Sequence, residues 1–385
     1  MNIRKFISAS DRRQALEKEL QVDLKNIGIF SLDESIASKR NCENMIGATQ
    51  VPLGVAGPLQ LSTVNGEPIT VYLPLATTEG ALVASVNRGC KAITESGGAI
   101  IDSYKVGATR GPVFRMKNLS ESKKFCNFLD EHFEELKKVA SDTSGHLKLE
   151  KISSIGVGNY HYVRLNFDTQ DAMGMNMVTI ATTEIASYIQ TKTGISCLAI
   201  SGNYCVDKKS AWQNVIQNRG SVVWAEVTLT KHVLTEILKT TAQKVYDVWL
   251  AKCLIGSAMA GSMAFNAQFA NIVAAMFLAT GQDVAHVVEG SLGVTTATIV
   301  NEDLYMSVYL PDLMVGTVGG GTALATQYEA LSLLGVEGGD DGKNAQKFAV
   351  IVGAAVLAGE ISLLSSLAEG SLASAHARLG RGNNI

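Results

Sequence analysis

Residues 253–282 contain no charged side chain and no histidine, and Lys252 and Asp283 bound the run on either side. Thirty such positions are enough to cross a bilayer on length alone. Asn266, Gln268, Asn271 and Gln282 lie inside the run among many Ala, Gly and Ser residues, and each of those amides adds to the cost of insertion into lipid. The composition therefore suits close helix packing inside a protein, and it predicts a fold built around a long buried helix. With 385 residues, 46% hydrophobic and 18% charged, the chain can enclose one large core or two to three smaller ones.

The formal charge of −3 and pI of about 6.1 come from acids and bases interspersed along the length. No basic footprint for nucleic acid results. Cys42, Cys90, Cys126, Cys197, Cys205 and Cys253 show neither CxxC pairs nor tight histidine spacing, which argues against a disulfide framework and a structural zinc site and fits a reducing cytoplasm. No metal is expected. Residues 1–11 include Arg4 and Lys5 but no apolar core of signal-peptide length, so neither secretion nor a membrane span is expected.

Along the chain, residues 1–41 read as a helical arm, with Leu16, Leu20 and Leu24 on one face. Residues 52–58 read as a turn-rich connection between strands, and a helix should follow over residues 79–95. The composition changes at Gly111-Pro112. A helical pattern through Phe125, Phe128, Leu129, Phe133 and Leu136 precedes strand-like alternation over 148–168, and then a helix over 173–191. This order predicts a small α+β subdomain, residues 111–199, inserted into a larger domain of residues 42–110 and 200–385. Helical periodicity is expected again from Val222 and, after the Gly-rich loop 316–321, through the C-terminal third. Residues 377–385 have no apolar face and are expected to be mobile.

Several residues stand out as candidate chemistry. Glu79 is the only charge between Tyr72 and Asn87; it reads either as a helix N-terminal carboxylate or as a carboxyl in apolar surroundings that holds a proton near neutrality. Residues 193–206 carry no charge, and Asp207, Lys208 and Lys209 then arrive together. An ammonium fixed there can stabilise charge on a carbonyl oxygen during hydride addition. Asp283 reads equally as a helix terminator or a partner for a lysine. His376, just before the tail, is an inert surface histidine or one that delivers a proton when a lid closes. No strand-GxGxxG-helix unit is present, so a standard Rossmann domain is not expected. Residues 171–177 could bring helix-start amides to a phosphate or a ring, or be a Met-lined core helix.

Taken together, these segments resemble the 3-hydroxy-3-methylglutaryl-coenzyme A (HMG-CoA) reductase family. The resemblance rests on Glu43-Asn44-Met45-Ile46-Gly47, Thr77-Thr78-Glu79-Gly80, Asn87-Arg88-Gly89-Cys90, Thr109-Arg110-Gly111-Pro112, residues 171–177 and 201–209, Gly281-Gln282-Asp283, residues 316–322 and Ala358-Gly359-Glu360. It covers nearly the whole chain from Glu43 and looks like the class I branch, without the membrane anchor of its eukaryotic members.

The resemblance implies a four-electron reduction of HMG-CoA to mevalonate and CoA with two NADPH, in isoprenoid biosynthesis. It gives Lys208 the thioester and aldehyde oxygens, Glu79 the proton that completes aldehyde reduction, Asp283 the tuning of both, and His376 protonation of the CoA thiolate. It places Arg110, Ser201, Asp207, Lys209, Lys252 and Asn271 around the HMG moiety, Leu363 and Leu367 against its methyl, and Ser85, Asn87 and Arg88 along CoA. The inserted subdomain, ferredoxin-like in the family, would hold the dinucleotide, with Asp171, Met173, Gly174, Met175, Asn176, Gly319 and Gly320 near the nicotinamide. Where the family's 2'-phosphate contact is often an arginine in a Ser-Arg-Phe stretch, this chain has Ser144-Gly145-His146; His146 or Lys148 is the alternative cation, and NADH stays open beside NADPH. Gln268 stands where a histidine is common. A homodimer with shared active sites, or a tetramer made of two such dimers, is implied. A CoA-dependent thioesterase or acyltransferase, and a non-catalytic assembly protein, are the competing readings.

Overall fold

The computed structural model describes residues 2–64 and 66–370. Ten strands form its sheet framework: β1 (Leu53–Thr63), β2 (Ile69–Ala76), β3 (Ala99–Arg110), β4 (Val113–Arg115), β5 (Lys148–Val157), β6 (Tyr160–Asp168), β7 (Cys197–Ala199), β8 (Arg219–Leu229), β9 (Val294–Val300) and β10 (Asp303–Leu313). They run in the order β7-β4-β6-β3-β8-β10-β9, with β1 and β2 joined through β3 and β5 joined to β6. Every pairing is antiparallel except β1 with β3. The fold is α+β.

Strand β3 is the shared spine. Its first part pairs with β8, from Ile100 opposite Glu226 to Gly107 opposite Gly220, and its last three residues, Ala108, Thr109 and Arg110, pair with β6. A register irregularity between Lys105 and Gly107 marks the hand-over. Beyond it, Phe114, Phe125, Leu129, Leu136, Leu149, Val163 and Ile185 close a core of their own, separate from the larger one.

The larger core surrounds the helix Lys343–Glu369, in which every residue from Phe348 to Ser362 is buried. An apolar helix without a wet face belongs inside a protein. It is long and apolar enough to cross a membrane, yet 94% of its most apolar window is buried. Val223, Ala225, Val227 and Leu229 alternate along β8 to face the larger core, as Leu304, Met306, Val308 and Leu310 do along β10. The helix approaches its neighbours closely. A Cβ on Gly89, in the helix Leu82–Glu95, would sit 1.9 Å from the Ala358 carbonyl oxygen, so only glycine fits there.

The long buried helix is therefore not made by the uncharged run. Residues 253–282 are split into the end of a π-helical turn Leu250–Gly256, a short helix Ser257–Ala260 and a separate helix Phe269–Thr280. Gly261, in the left-handed region at φ 67°, ends the first part. The second begins where the buried Glu360 carboxylate accepts the backbone N–H groups of Ala267 (2.8 Å) and Gln268 (2.7 Å). Nor is the first part buried: Leu254, Ile255 and Met259 are 44%, 53% and 83% exposed.

Other expectations shift for local reasons. In the N-terminal arm, the helices Ala9–Leu20 and Glu34–Arg40 pack through Ala9, Ala37 and Met45, and Leu20 faces solvent. Residues 53–58 belong to β1, which is irregular between Ala56 and Leu59, rather than forming a free turn. The next helix starts at Leu82, three residues late, because Ala81 sits at φ 75°. Val222 lies in β8, with helix only from Lys231, and the β9–β10 hairpin occupies a stretch with no strand forecast. The tail, residues 377–385, lies outside the described residues.

Candidate active site

The loop that holds Lys208 is pinned to the end of β3. Thr109 Oγ1 donates to the Cys205 carbonyl (2.9 Å), and Gly202 N–H donates to the Gly111 carbonyl (2.6 Å). The approach at Gly111 is so close that a Cβ there would lie 2.5 Å from the Cys205 nitrogen. Within the loop Asn203, Val206 and Lys208 all adopt positive φ (64°, 50° and 58°). For a β-branched valine and a lysine this conformation is strained, and strain of this kind gathers at functional sites.

Those turns aim the side chains at the opposite wall. Lys208 Nζ lies 2.7 Å from Asp283 Oδ2. Asp283 caps the turn Val284–His286 by accepting the Ala285 N–H. Burial pushes its carboxyl up, but hydrogen bonds from Lys208 and Ala285 prevail and hold it below its ordinary value. Asp207 points the other way, 3.3 Å from Arg110 Nη1 and 2.7 Å from Arg219 Nη2. Lys209 is exposed and, among the described residues, bonds only to the Asp207 carbonyl, while Ser201 Oγ lies 3.8 Å from Cys205 Sγ.

Beneath these groups lies a fully buried network that the sequence reading missed. Arg219 opens β8 opposite Asp312 on β10. It donates to Thr109 Oγ1 (2.9 Å), Glu289 Oε1 (2.7 Å) and Asp207 Oδ1 (2.7 Å), and approaches Met175 Sδ (3.3 Å). Glu289 Oε1 also accepts the Lys208 backbone N–H (3.0 Å) and His286 Nδ1 (2.7 Å). A signal was available: Asp283, His286 and Glu289 recur every third residue, which puts all three on one face of a helical turn. Asp207, His286 and Glu289 offer ligand atoms within 4.8 Å of one another. Arg219 donates to both carboxylates and already supplies the cation among them.

Asp312 carries a pH consequence. Burial, opposed by Arg219 and reinforced by Glu289, pushes its carboxyl from 3.8 to about 7. Between those values the folded protein holds a proton that the unfolded chain has released. The stability from the protonated form is therefore complete below the unfolded value and is lost as pH rises toward 7. Asp312→Asn should flatten this loss, so urea midpoints at about pH 4.5 and about pH 7.5 should differ less in the variant than in the parent.

A second group of expected residues meets on the long helix. Ser85 Oγ donates to Ser362 Oγ (2.9 Å), and Arg88 donates to Ser362 Oγ (3.1 Å), the Ser362 carbonyl (2.7 Å) and Ser366 Oγ. Leu363 and Leu367, both half-buried, lie on the same stretch, and Asn87 Oδ1 accepts the Gly57 N–H (2.9 Å). Asn271 donates to Gln268 Oε1 (3.3 Å), and Gln268 donates to the Gly359 carbonyl (2.6 Å). Lys252 is exposed on the π-helical turn, and its charge partly offsets the upward push that burial gives Glu360.

Two expectations need correction. Glu79 is exposed, with no side-chain partner among the described residues; its backbone N–H donates to Thr77 Oγ1 (3.0 Å), so it is not a carboxyl in apolar surroundings. The Lys208 side chain is 40% exposed. Asp171 is buried, and its oxygens accept the N–H groups of Asp340 (2.6 Å), Gly342 (2.8 Å) and Ala345 (2.9 Å). Its carboxylate thus tethers the start of the long helix. His376 lies outside the described residues.

The remaining cofactor candidates form an open edge. Gly174, at φ 85° against Thr169, turns the chain into the helix Met175–Thr193, with Met173 half-buried and Asn176 exposed. Ala172 bridges Val318, and Gly319 and Gly320 beyond it have open space where a Cβ would stand. Ser144 Oγ reaches Met177 Sδ (3.8 Å), and His146 Nδ1 lies 2.7 Å from Gln170 Oε1.

Comparison with known proteins decides the family: the model of hydroxymethylglutaryl-coenzyme A reductase matches residues 8–381. The chain belongs to the HMG-CoA reductase family. It is 51% identical to the 3-hydroxy-3-methylglutaryl-coenzyme A reductase of Methanocaldococcus jannaschii, over 97% of this chain and 93% of that one. It is 49% identical to the Pyrococcus abyssi reductase, over 98% and 93%. The class II reductase of Streptococcus pneumoniae, solved with NADPH in open conformations, shares the fold at a TM-score of 0.68 and 19% identity, over 95% of this chain and 98% of that one. The protein is an oxidoreductase, an HMG-CoA reductase of the mevalonate pathway.

Proposed function

We propose that the Lys208–Asp283 pair is the reaction centre, where the HMG-CoA thioester and then the derived aldehyde are reduced to mevalonate. The observation that supports this most is an ammonium held 2.7 Å from a carboxylate over a buried arginine network. Lys208 Nζ donates to the carbonyl oxygen and stabilises the negative charge that develops there at each reduction. Asp283 orients Lys208. Arg110, Ser201, Asp207, Lys209, Lys252 and Asn271 hold the HMG portion, Leu363 and Leu367 meet its methyl, and Ser85, Asn87 and Arg88 follow CoA. His376 gives a proton to the departing thiolate.

NADPH, when bound, supplies the two hydrides. The open glycine edge at Gly319 and Gly320 beside the start of the helix Met175–Thr193 fits a flat ring and a phosphate chain. Met173, Gly174, Met175 and Asn176 line it, Asp171 supports it from behind, and Ser144 and His146 meet the far end of the dinucleotide. His146 takes the 2'-phosphate, so NADPH is preferred and NADH is tolerated. Residues 111–199 act as the cofactor-binding unit.

Glu79 completes the site from a second subunit. Its exposure, and the exposed apolar surface at Leu254, Ile255 and Met259, support a homodimer with shared active sites in which Glu79 delivers the proton to the alcohol oxygen. Burial of the span-length helix supports a cytoplasmic enzyme. Purified protein should oxidise NADPH only when HMG-CoA is added, and NADH should serve more weakly in a parallel assay. HMG-CoA-independent oxidation, or none with either nucleotide, would overturn the reading.

A further inference from the structure

Gln282 directly precedes Asp283 and is buried, and its amide grips one distant backbone residue from both sides. Nε2 donates to the Gly316 carbonyl (2.9 Å), and Oε1 accepts the Gly316 N–H (2.9 Å). One residue earlier, Gly281 lies at φ 71°. A Cβ on it would stand 2.3 Å from the Gly321 carbonyl oxygen, and one on Gly321 would stand 2.5 Å from that of Gly281. The loop 316–321 is therefore seated on residues 281–282 at both ends, with the open edge of Gly319 and Gly320 between them.

The loop is held from its other side as well. The Asp171 carbonyl accepts the N–H groups of Thr317 (2.8 Å) and Val318 (3.4 Å). A Cβ on Gly316 would lie 2.4 Å from the Met173 nitrogen, so the two segments are in backbone contact. The Asp171 carboxylate is anchored in turn by Asp340, Gly342 and Ala345 at the start of the long helix, where the helix dipole favours a negative charge. Residues 316–318 thus lie between the segment that carries Asp283 and the turn that leads into Met173, Gly174, Met175 and Asn176.

We propose that Gln282 is a positioning residue for hydride transfer, the link that sets the distance between the cofactor edge and the Lys208–Asp283 pair, with Asp171 closing the link on the cofactor side. The inference rests on the assignment of that pair as the reaction centre and of the glycine edge as the nicotinamide site. Reacting atoms must meet at about 3–3.5 Å, and a misplacement of about 1 Å costs about 10²-fold in rate. The acceptor carbonyl is fixed by Lys208, which Asp283 holds at 2.7 Å; the hydride donor lies on the loop that Gln282 holds. A single residue therefore spans from the pair to the loop backbone. An amide bonded to both the N–H and the C=O of Gly316 makes the same paired contact as a strand neighbour, and it carries no proton to gain or lose.

Two substitutions loosen the link from opposite sides. Gln282→Met fills similar space but cannot bond Gly316, and Asp171→Asn keeps the glutamine while giving up acceptor capacity toward the helix start. Both should slow single-turnover hydride transfer by about tenfold or more with both substrates saturating, counted per bound nucleotide so that unfolded chains do not enter. The Kd values for NADPH and HMG-CoA should stay within about threefold of the parent. The isotope effect on kcat from NADPH deuterated at the transferred position should rise, because transfer now limits turnover. Parent-like transfer per bound nucleotide, with only a lower melting midpoint, would make the glutamine merely structural and overturn the proposal. A tenfold weaker Kd for NADPH with parent-like transfer at saturation would make it a ligand contact and overturn the proposal too. If the methionine variant does not fold, the asparagine variant decides by the same measures. In the parent, NADPH should slow amide exchange over residues 173–176 and 318–321; no protection there would instead overturn the assignment of the cofactor edge, and no HMG-CoA-dependent turnover that of the reaction centre.

Discussion

Lys208→Ala should lower kcat by about 10²–10³-fold, the scale of removing one preorganised donor from a developing oxyanion. Nζ is held by Asp283 at 2.7 Å before substrate arrives, on a backbone already turned to φ 58°, so its orientation requires little further ordering. The substitution also leaves Asp283 without its ammonium partner, which adds repulsion toward the same oxygen. Single-turnover hydride transfer under saturating HMG-CoA and NADPH measures this directly. The melting midpoint should hardly move, because the removed side chain is 40% exposed and such pairs contribute little to stability. Hydride transfer within threefold of the parent would remove Lys208 from the mechanism.

Arg219→Met should destabilise the fold by about 3–5 kcal/mol, the usual cost of removing one partner from a buried ion pair. Arg219 is fully buried, and its carboxylates, Glu289 and Asp312, are buried with it. Methionine fills similar space but leaves Asp207 and Glu289 without their main donor and Thr109 Oγ1 without its Nε–H partner. Lysine should restore only part of the loss, since a single ammonium cannot meet three acceptors set around a planar fork. Urea unfolding of parent, Arg219→Met and Arg219→Lys at neutral pH gives the order; equal midpoints for parent and methionine variant would show that the network is not what holds this site together. Because the Lys208 loop hangs on the same carboxylates, activity should fall with stability in the methionine variant.

Much of the working surface was legible because it is written in charge isolation. Asp207, Lys208 and Asp283 stand at the edges of uncharged runs, and the structure pairs Lys208 with Asp283 as a lysine with its partner. Glu79 stood out by the same rule, yet it lies in solvent, because isolation along the chain says nothing about which residues return from elsewhere to surround a group. Asp171 shows the converse. Its place at a helix start read as a ligand contact, but three amides from residues 340–345, about 170 positions away, take its oxygens. Arg219, His286 and Glu289 were passed over because each sits among ordinary neighbours, and only the third-residue spacing from Asp283 marked two of them.

The sequence by itself determined that this is a member of the HMG-CoA reductase family with an α+β fold, a buried span-length helix, and a lysine and aspartate set at the ends of uncharged stretches. Local rules suffice for those conclusions, since motif order, hydrophobic period and charge spacing are properties of the chain. The tertiary structure alone decided which segment became the buried helix. Residues 253–282 have the apolar length, but Gly261 and the distant carboxylate of Glu360 break them, while residues 343–369 find the inner face of β8 and β10 and are enclosed. It also decided that the lysine stands on a four-carboxylate, two-arginine base. A buried charge is tolerable only where partners from other parts of the chain meet it, and no spacing along the sequence records that meeting.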